Sequence, residues 1–369
     1  MKTVGEVMKT FRFPRLLSTA VGVLMGSYVT MLLAAPLPRD QERIIPLHEL
    51  EEPRQVCVEG GRVYIVDKRD ILIYDLKDGR LRARIGRIGQ GPTEFAMGPL
   101  RLTVLSKRLV VKDLRKIKLF TVDGEYLGQI GEPESMGFYP FLPVGGNFVG
   151  FPMERRSDGS LAPAAGSVFD KDLRLKKKFY GELPLGPPPP PRPGSQPPAV
   201  KTNVSMILDY VDYLVVDDRI YVADSRKGLS ISVFNENGDF LHEIRHPVER
   251  IKVPRGFLDD ALKGLKASKY WNLTAAFQNF VVPEYFPAFV GFKIDGGRIY
   301  AITSAQQGGL YEVIVLSLQG RIIDRGFRLP LKPNFGVPQV FSLDYDIEED
   351  KFIWYAYNED KETYELHIR

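Results

Sequence analysis

Four histidines, a single cysteine and a set of recurring aspartates are the residues on which chemistry in this chain would have to rest. His242 and His246 stand four apart, a spacing that shares one face of a helix. The stretch around them alternates as a strand, however, and on a strand that separation is long for one metal ion. His48 falls in a connecting stretch and His367 in the last strand, so neither a metal site nor a cofactor is expected. Asp67, Asp113 and Asp224 each end a strand of the same kind. One per repeat is the behaviour of a capping residue, not of a catalytic cluster. Cys57 lies between Val56 and Val58 and reads as a small buried hydrophobe. A lone cysteine allows no intramolecular disulfide, and no Ser/His/Asp arrangement, P-loop or dinucleotide motif stands out.

The elements that position these residues come from an internal repeat. An apolar strand, a turn rich in Gly, Asp or Asn and a second strand recur as Ile73–Leu81, Leu119–Leu127, Val168–Leu175, Val233–Leu241 and Val315–Ile323. Each reads as a β-hairpin, because these turn residues tolerate the positive φ of a tight turn. Another strand precedes each hairpin: Arg62–Val66, Arg108–Val111, Asn147–Gly150, Arg219–Val222 and Arg298–Ala301, with Lys351–Tyr355 near the C-terminus. Before these lies a further apolar stretch, introduced by Pro53, Pro99, Pro140, Pro287 or Pro338, and in the fourth repeat by Asp209-Tyr210-Val211.

Four strands per unit make a propeller blade. Six units are present, but the last stops after Tyr364–Ile368 without a fourth strand, while Arg43–Leu47 precedes the first unit with no blade of its own. The expected fold is therefore all-β, a six-bladed β-propeller whose N-terminal strand closes the last blade, with a small helical insertion. Closure leaves only short, protected sheet edges.

Ile85-Gly86-Arg87-Ile88-Gly89-Gln90-Gly91-Pro92-Thr93-Glu94-Phe95, followed by Pro99, resembles the inter-blade signature of NHL-repeat propellers. Tyr221-Val222-Ala223-Asp224 resembles that family's second-strand motif, echoed by Ile65-Val66-Asp67. The likeness runs over roughly residues 42–369 and is sharp in the first, second and fourth blades. The family hosts receptors, scaffolds and a few enzymes, so the resemblance implies a fold and leaves function open.

Two insertions break the repeat. Residues 184–198 include Pro187 to Pro191 in succession, a stiff polyproline stretch read as a solvated loop between blades. Residues 248–284 carry Asp259 and Asp260 in a helical first turn, with Leu258, Leu262 and Leu265 at helical spacing. Ser268 caps a second expected helix through Asn279, with Leu273, Ala276, Phe277 and Phe280 as its apolar face. That face either packs on the propeller or forms a lid or partner-binding element. Both insertions join the outermost strand of one blade to the innermost of the next, and such connections share one face of the ring, where binding usually sits.

Residues 1–35 form a signal peptide or signal-anchor. Lys2, Lys9, Arg12 and Arg15, against Glu6, precede the uncharged run Leu16–Ala35. The logic is that of an export signal, yet the run also reaches bilayer-spanning length. Either way the remainder, 42–369, is expected outside the cytoplasm, periplasmic or secreted, with 16–35 as a membrane tether if it is not cleaved. Four of the basic residues and one acid lie in that leader, so the net charge of +4 falls to about +1 on the propeller. No nucleic-acid footprint is expected.

The side chains expected to ring the channel are Arg54, Arg101, Tyr139, Tyr210, Tyr285 and Gln339. Arginine and tyrosine there can hold a sugar or an acidic group. A metal-dependent propeller hydrolase or lyase is the alternative. It needs several acids at those positions, and the only ones expected near them are Asp209 and Glu52. The basic run Arg174, Lys176, Lys177 and Lys178 protects an outer edge strand. The expectation is a non-catalytic exported binding or scaffold propeller for a protein or carbohydrate ligand.

Overall fold

In a computed structural model the chain describes residues 42–96, 98–99, 101–105, 107–113, 116–131, 141–152, 165–182, 202–266, 278–330 and 344–369. Six four-stranded antiparallel sheets follow one another as blades. The first is Pro53–Glu59, Arg62–Asp67, Asp70–Asp75 and Leu81–Ile85. The second is Arg101–Leu105, Arg108–Asp113, Lys116–Thr121 and Tyr126–Gly131. The third is Leu142–Val144, Asn147–Gly150, Ala165–Phe169 and Leu175–Glu182. The fourth is Val211–Val216, Arg219–Asp224, Leu229–Phe234 and Phe240–His246. The fifth is Phe289–Asp295, Arg298–Gln307, Leu310–Ser317 and Ile322–Leu329. The sixth takes Tyr345–Glu348, Lys351–Asn358 and Thr363–Ile368 from the C-terminus and Arg43–Leu47 from the N-terminus. The pairing runs from Arg43 opposite Ile368 to Leu47 opposite Tyr364, so the ring closes as the unmatched strands require.

The two hairpins of a blade are built differently. Each inner pair of strands turns in two residues. Gly60-Gly61, Asp217-Asp218, Gly296-Gly297 and Glu349-Asp350 all hold both residues at positive φ, the turn whose twist matches paired strands. The outer hairpin repeats a longer turn. Its first residue, Asp75, Thr121, Asp170, Asn235 or Ser317, accepts a backbone N–H on its side-chain oxygen. Its carbonyl accepts from Gly79, Gly124, Leu173, Gly238 or Gly320, the residue at positive φ.

Those glycines also set the blade spacing. A Cβ on Gly79 would meet Ile45 at 2.2 Å, one on Gly124 would meet Ile85 at 3.0 Å, one on Gly238 Phe179 at 2.9 Å, and one on Gly320 Ile244 at 2.9 Å. In each case the turn seats on the outermost strand of the preceding blade. Ile45 of the N-terminal strand thus does for the sixth blade what Ile85 does for the first.

The core lies between blades. Ile45, Leu47, Val56, Val58, Ile353 and Leu366 join the sixth to the first, and Cys57, Tyr64, Ile73, Phe95, Leu102 and Phe120 join the first to the second. Each such side chain contributes about 1.5–3 kcal/mol on burial. The aspartates ending the second strands are caps. Asp67 accepts the N–H groups of Glu51 and Glu52, and Asp113 that of Ala96. Asp224 instead accepts from Arg226 and from the Tyr180 hydroxyl of the preceding blade.

The signature loop after Ile85 has a matching clamp. Phe95 is fully buried and a Cβ on Gly86 would strike its ring at 2.2 Å. Glu94 accepts from the Gly91 N–H at 2.8 Å and from Arg87 at 2.7 Å. Below it, the buried Lys118 donates to the carbonyls of Glu94 and Gly91 and pairs with buried Asp113 at 3.3 Å. The lysine run of the third blade does more than guard an edge. Lys177 pairs with Asp239 at 2.6 Å, and Lys176 donates to Asn237, both on the outer turn of the next blade.

Within 248–284 a helix forms over Phe257–Lys266, as its spacing predicts. The end expected for a second helix, at Asn279, is not helical. Gln278–Val281 is a strand, paired in parallel with Thr202–Ser205. Phe280 and Val281 favour an extended chain, and a partner strand is at hand to satisfy their backbone. Residues 267–277 and the polyproline stretch lie outside the described residues, as do 1–41.

Candidate functional site

The two-residue inner turns give a ruler for the channel wall. Strand residues alternate faces, so positions one, three and five before each turn share a side. One before the turn stand Glu59, Leu105, Val144, Val216, Asp295 and Glu348; three before stand Cys57, Thr103, Leu142, Leu214, Lys293 and Asp346. Five before stand Gln55, Arg101, Asp212, Gly291 and Asp344, with the third blade's position outside the described residues. The polar members tie one inner strand to another. Gln55 donates to the Leu102 carbonyl at 2.6 Å and accepts its N–H at 2.9 Å. Asp346 accepts the Val58 N–H at 2.8 Å and pairs with Lys293 at 3.0 Å. Glu348 accepts the Gly61 N–H at 3.1 Å.

At the end nearest the blade connections, Arg101 approaches Asp212 at 3.4 Å, and the Tyr210 hydroxyl donates to the same carboxylate oxygen at 3.2 Å. The other oxygen of Asp212 accepts its neighbour's N–H, from Tyr213. Burial works against charge on Arg101, but Asp212 and Tyr210 outweigh it and hold its pKa above the usual value. Lys293 behaves alike: burial lowers its pKa, and Asp346 with Cys57 raises it further. Burial pushes Asp344 up to about 6, against the Tyr355 hydroxyl that donates to it at 2.9 Å and against Lys293 and Arg101. Burial, with Asp346 adding, drives the Cys57 thiol up to about 12, so it is inert near neutrality.

Tyr345 completes the cluster. Its hydroxyl is buried with no partner among the described residues. It lies against Gly291, where a Cβ would meet it at 2.8 Å, beside an irregularity in the fifth blade's inner ladder. The Lys293 ammonium sits 5.7 Å from the centre of the Tyr345 ring.

Of the residues the sequence singles out, Arg101 and Tyr210 are brought together. Arg54 is exposed, with a 3.6 Å approach to Glu52. Tyr285 lies just past the expected end of the second insertion, before the fifth blade's inner strand, bridged to Lys252 and stacked by Arg250 at 4.1 Å. Tyr139 and Gln339 lie outside the described residues. The expectation that Asp209 and Glu52 are the acids nearest the channel is corrected: Asp212, Asp344 and Asp346 belong to its wall. Counting back from the Asp-Asp and Glu-Asp turns puts them at matching positions of two inner strands, but does not say which face meets the channel. The histidines occupy separate places. His242 and His246 share the fourth blade's outer strand, His48 lies 3.5 Å from Thr363, and His367 stacks on Trp354 beside Glu42. Among the described residues no three metal-ligating side chains gather in one place.

Alternating strand direction puts both kinds of turn on one face of the ring and the blade connections on the other. The parallel pair Thr202–Ser205 and Gln278–Val281 comes from two successive connections, which therefore meet on that face. The long hairpin of the fifth blade, turning at Gly308-Gly309, extends on that side as well. The described chain starts on the opposite face, where Arg43 donates to the Leu76 carbonyl in an outer turn at 2.5 Å.

No family model matches the chain. No curated protein matches it either. Among solved structures it is similar to Hsv2 of Kluyveromyces lactis, at 11% identity and a TM-score of 0.36, covering 87% of this chain and 86% of that one. A KlHsv2 form with loop 6CD replaced by a Gly-Ser linker gives 12% identity and a TM-score of 0.37, covering 87% and 85%.

Proposed function

We propose that this chain is an exported, non-catalytic binding or scaffold propeller that takes a protein or carbohydrate ligand at the channel mouth on its elaborated face. The observation that carries this reading is the convergence of Arg101, Tyr210 and Asp212 at the connection end of the channel, on the side where two successive blade connections pair. A rigid ring with polar side chains at one mouth and long loops around it suits recognition. Asp212 and Asp346 are each committed to a cation and a backbone N–H, which leaves little free carboxylate for metal-assisted hydrolysis.

The loop clamped by Lys118 supports reading the chain as a divergent NHL-like propeller, since its glycines and Glu94 have the structural work that the signature demands. Export rests on the basic leader and the apolar run Leu16–Ala35. Among the described residues no helix is long and apolar enough to cross a membrane.

The test is capture by cross-linking in the native extracytoplasmic compartment, with mass spectrometry of whatever is held. Full-length wild type should retain a ligand that the double variant Arg101→Gln/Tyr210→Phe loses at unchanged melting temperature. Identical capture by both would sink the channel-mouth assignment, and recovery of the protein solely from the cytoplasm would sink export.

A further inference from the structure

We infer that the channel mouth takes a neutral polyhydroxylated ligand, a saccharide, in preference to an acidic group or an organic cation. The inference rests on the binding reading above and adds a chemical class to it.

Among the described residues, the wall near the mouth holds two cations, Arg101 and Lys293, and three carboxylates, Asp212, Asp344 and Asp346. An anionic ligand would meet an excess of negative charge at short range, and its partial desolvation in the channel would add to the cost. An organic cation would be favoured by that excess, but the aromatic face it would use is taken: Lys293 already lies over the Tyr345 ring. Vicinal hydroxyls answer both demands, since each donates to a carboxylate and accepts from a guanidinium. Arg101 has capacity to give. Its side chain is 40% exposed and its described contact is one long approach to Asp212, against five N–H donors on the group.

Tyr345 is the second, independent sign. A buried hydroxyl without a partner is costly and rare, and this one lies where the inner ladder is irregular and the facing residue is Gly291. The Tyr210 hydroxyl stands in the same group, donating to the Asp212 carboxylate that Arg101 approaches. A ligand hydroxyl reached by a small turn of the Tyr345 side chain away from Gly291 would give it the partner it lacks.

The experiment is saturation-transfer NMR on the full chain with D-glucose, D-galactose, D-mannose and N-acetyl-D-glucosamine, against D-glucuronate, D-galacturonate and spermidine, all at millimolar concentration. Transfer to at least one neutral sugar is expected, weakened about tenfold by Arg101→Gln and by Tyr345→Phe; circular dichroism melts check that both variants fold. Transfer confined to the uronates or to spermidine, or to none of the probes, would overturn the inference. If cross-linked capture still depends on Arg101 and Tyr210 while no sugar binds, the inference falls and the binding reading stands. If that capture fails too, both fall.

Discussion

Arg101 of the second blade reaches Asp212 of the fourth at 3.4 Å, bypassing the third blade, whose inner strand is only Leu142–Val144. The contact spans the channel where neighbouring inner strands elsewhere tie to each other, as Lys293 does to Asp346. A pair with one partner 40% exposed is screened by solvent, so its worth lies in shaping the mouth more than in stability. A double-mutant cycle on Arg101→Gln and Asp212→Asn, read by urea unfolding, should give a coupling of about 1 kcal/mol or less. A coupling several times larger would mark the pair as a structural tie and remove it as a free ligand contact.

Asp344 sets a pH dependence of defined sign. Its pKa rises from 3.8 in the unfolded chain to about 6 in the fold, because burial disfavours the carboxylate. The folded state therefore binds the proton more tightly. Wild-type stability should fall as pH rises from about 4 through about 6, by about 2 kcal/mol from this group. Asp344→Asn keeps an acceptor for the Tyr355 hydroxyl and removes the titration. The variant should be more stable than wild type at pH 7–8 and lose that advantage near pH 4, as followed by urea midpoints across the range.

The repeat was legible because every blade spells it locally. The outer turn needs a short polar side chain at its first position and a residue at positive φ later, and four blades write glycine there. The third writes Leu173 at φ 62, which is why that blade looks degenerate in sequence. The site was legible only in part, because it depends on strand register. The sequence points to Arg54, whereas Gln55 and Cys57 share the side of the strand that meets the neighbouring inner strand. The ladder slips between Pro53 and Gln55, and a shift of one residue exchanges the two faces of a strand. Tyr285 stands apart for a different reason: the connection continues past it, and the fifth blade's inner strand begins only at Phe289. Asp212, Lys293 and Asp346 lie inside strands, where alternation alone does not say which face meets the channel.

Lys118 is the charged residue whose loss should cost most. Its side chain is 3% exposed and that of Asp113 is 4% exposed. Lys118→Met fills the same space but strands Asp113 and the Glu94 and Gly91 carbonyls. Breaking a buried pair from one side costs about 3–5 kcal/mol. Chemical denaturation should show a loss of that order, with the signature loop becoming open to proteolysis near Gly91. A loss below about 1 kcal/mol, the range of exposed pairs, would mean the clamp is not what holds the loop.

Ring closure makes the N-terminal strand a part of the fold, and Gly79 offers a way to test it without cutting the chain. Deleting residues 42–47 removes the sixth blade's outer strand, the buried Ile45 and Leu47, and the ladder to Tyr364–Ile368. Two such side chains alone are worth about 3–6 kcal/mol, a large share of a domain's net stability. The deletion should therefore lower the melting temperature steeply or abolish cooperative unfolding. Gly79→Ala attacks the same seam from the first blade. Its Cβ would sit 2.2 Å from Ile45 at a φ of +71, so steric overlap and backbone strain act together and about 2 kcal/mol of destabilisation is expected. The two effects should not add. Once residues 42–47 are gone, Gly79→Ala keeps its backbone strain but loses the clash, and its cost should fall to about 1 kcal/mol. An unreduced cost in the deleted chain would show that Gly79 does not seat on the N-terminal strand, and unchanged melting on deletion would show that the ring closes without it.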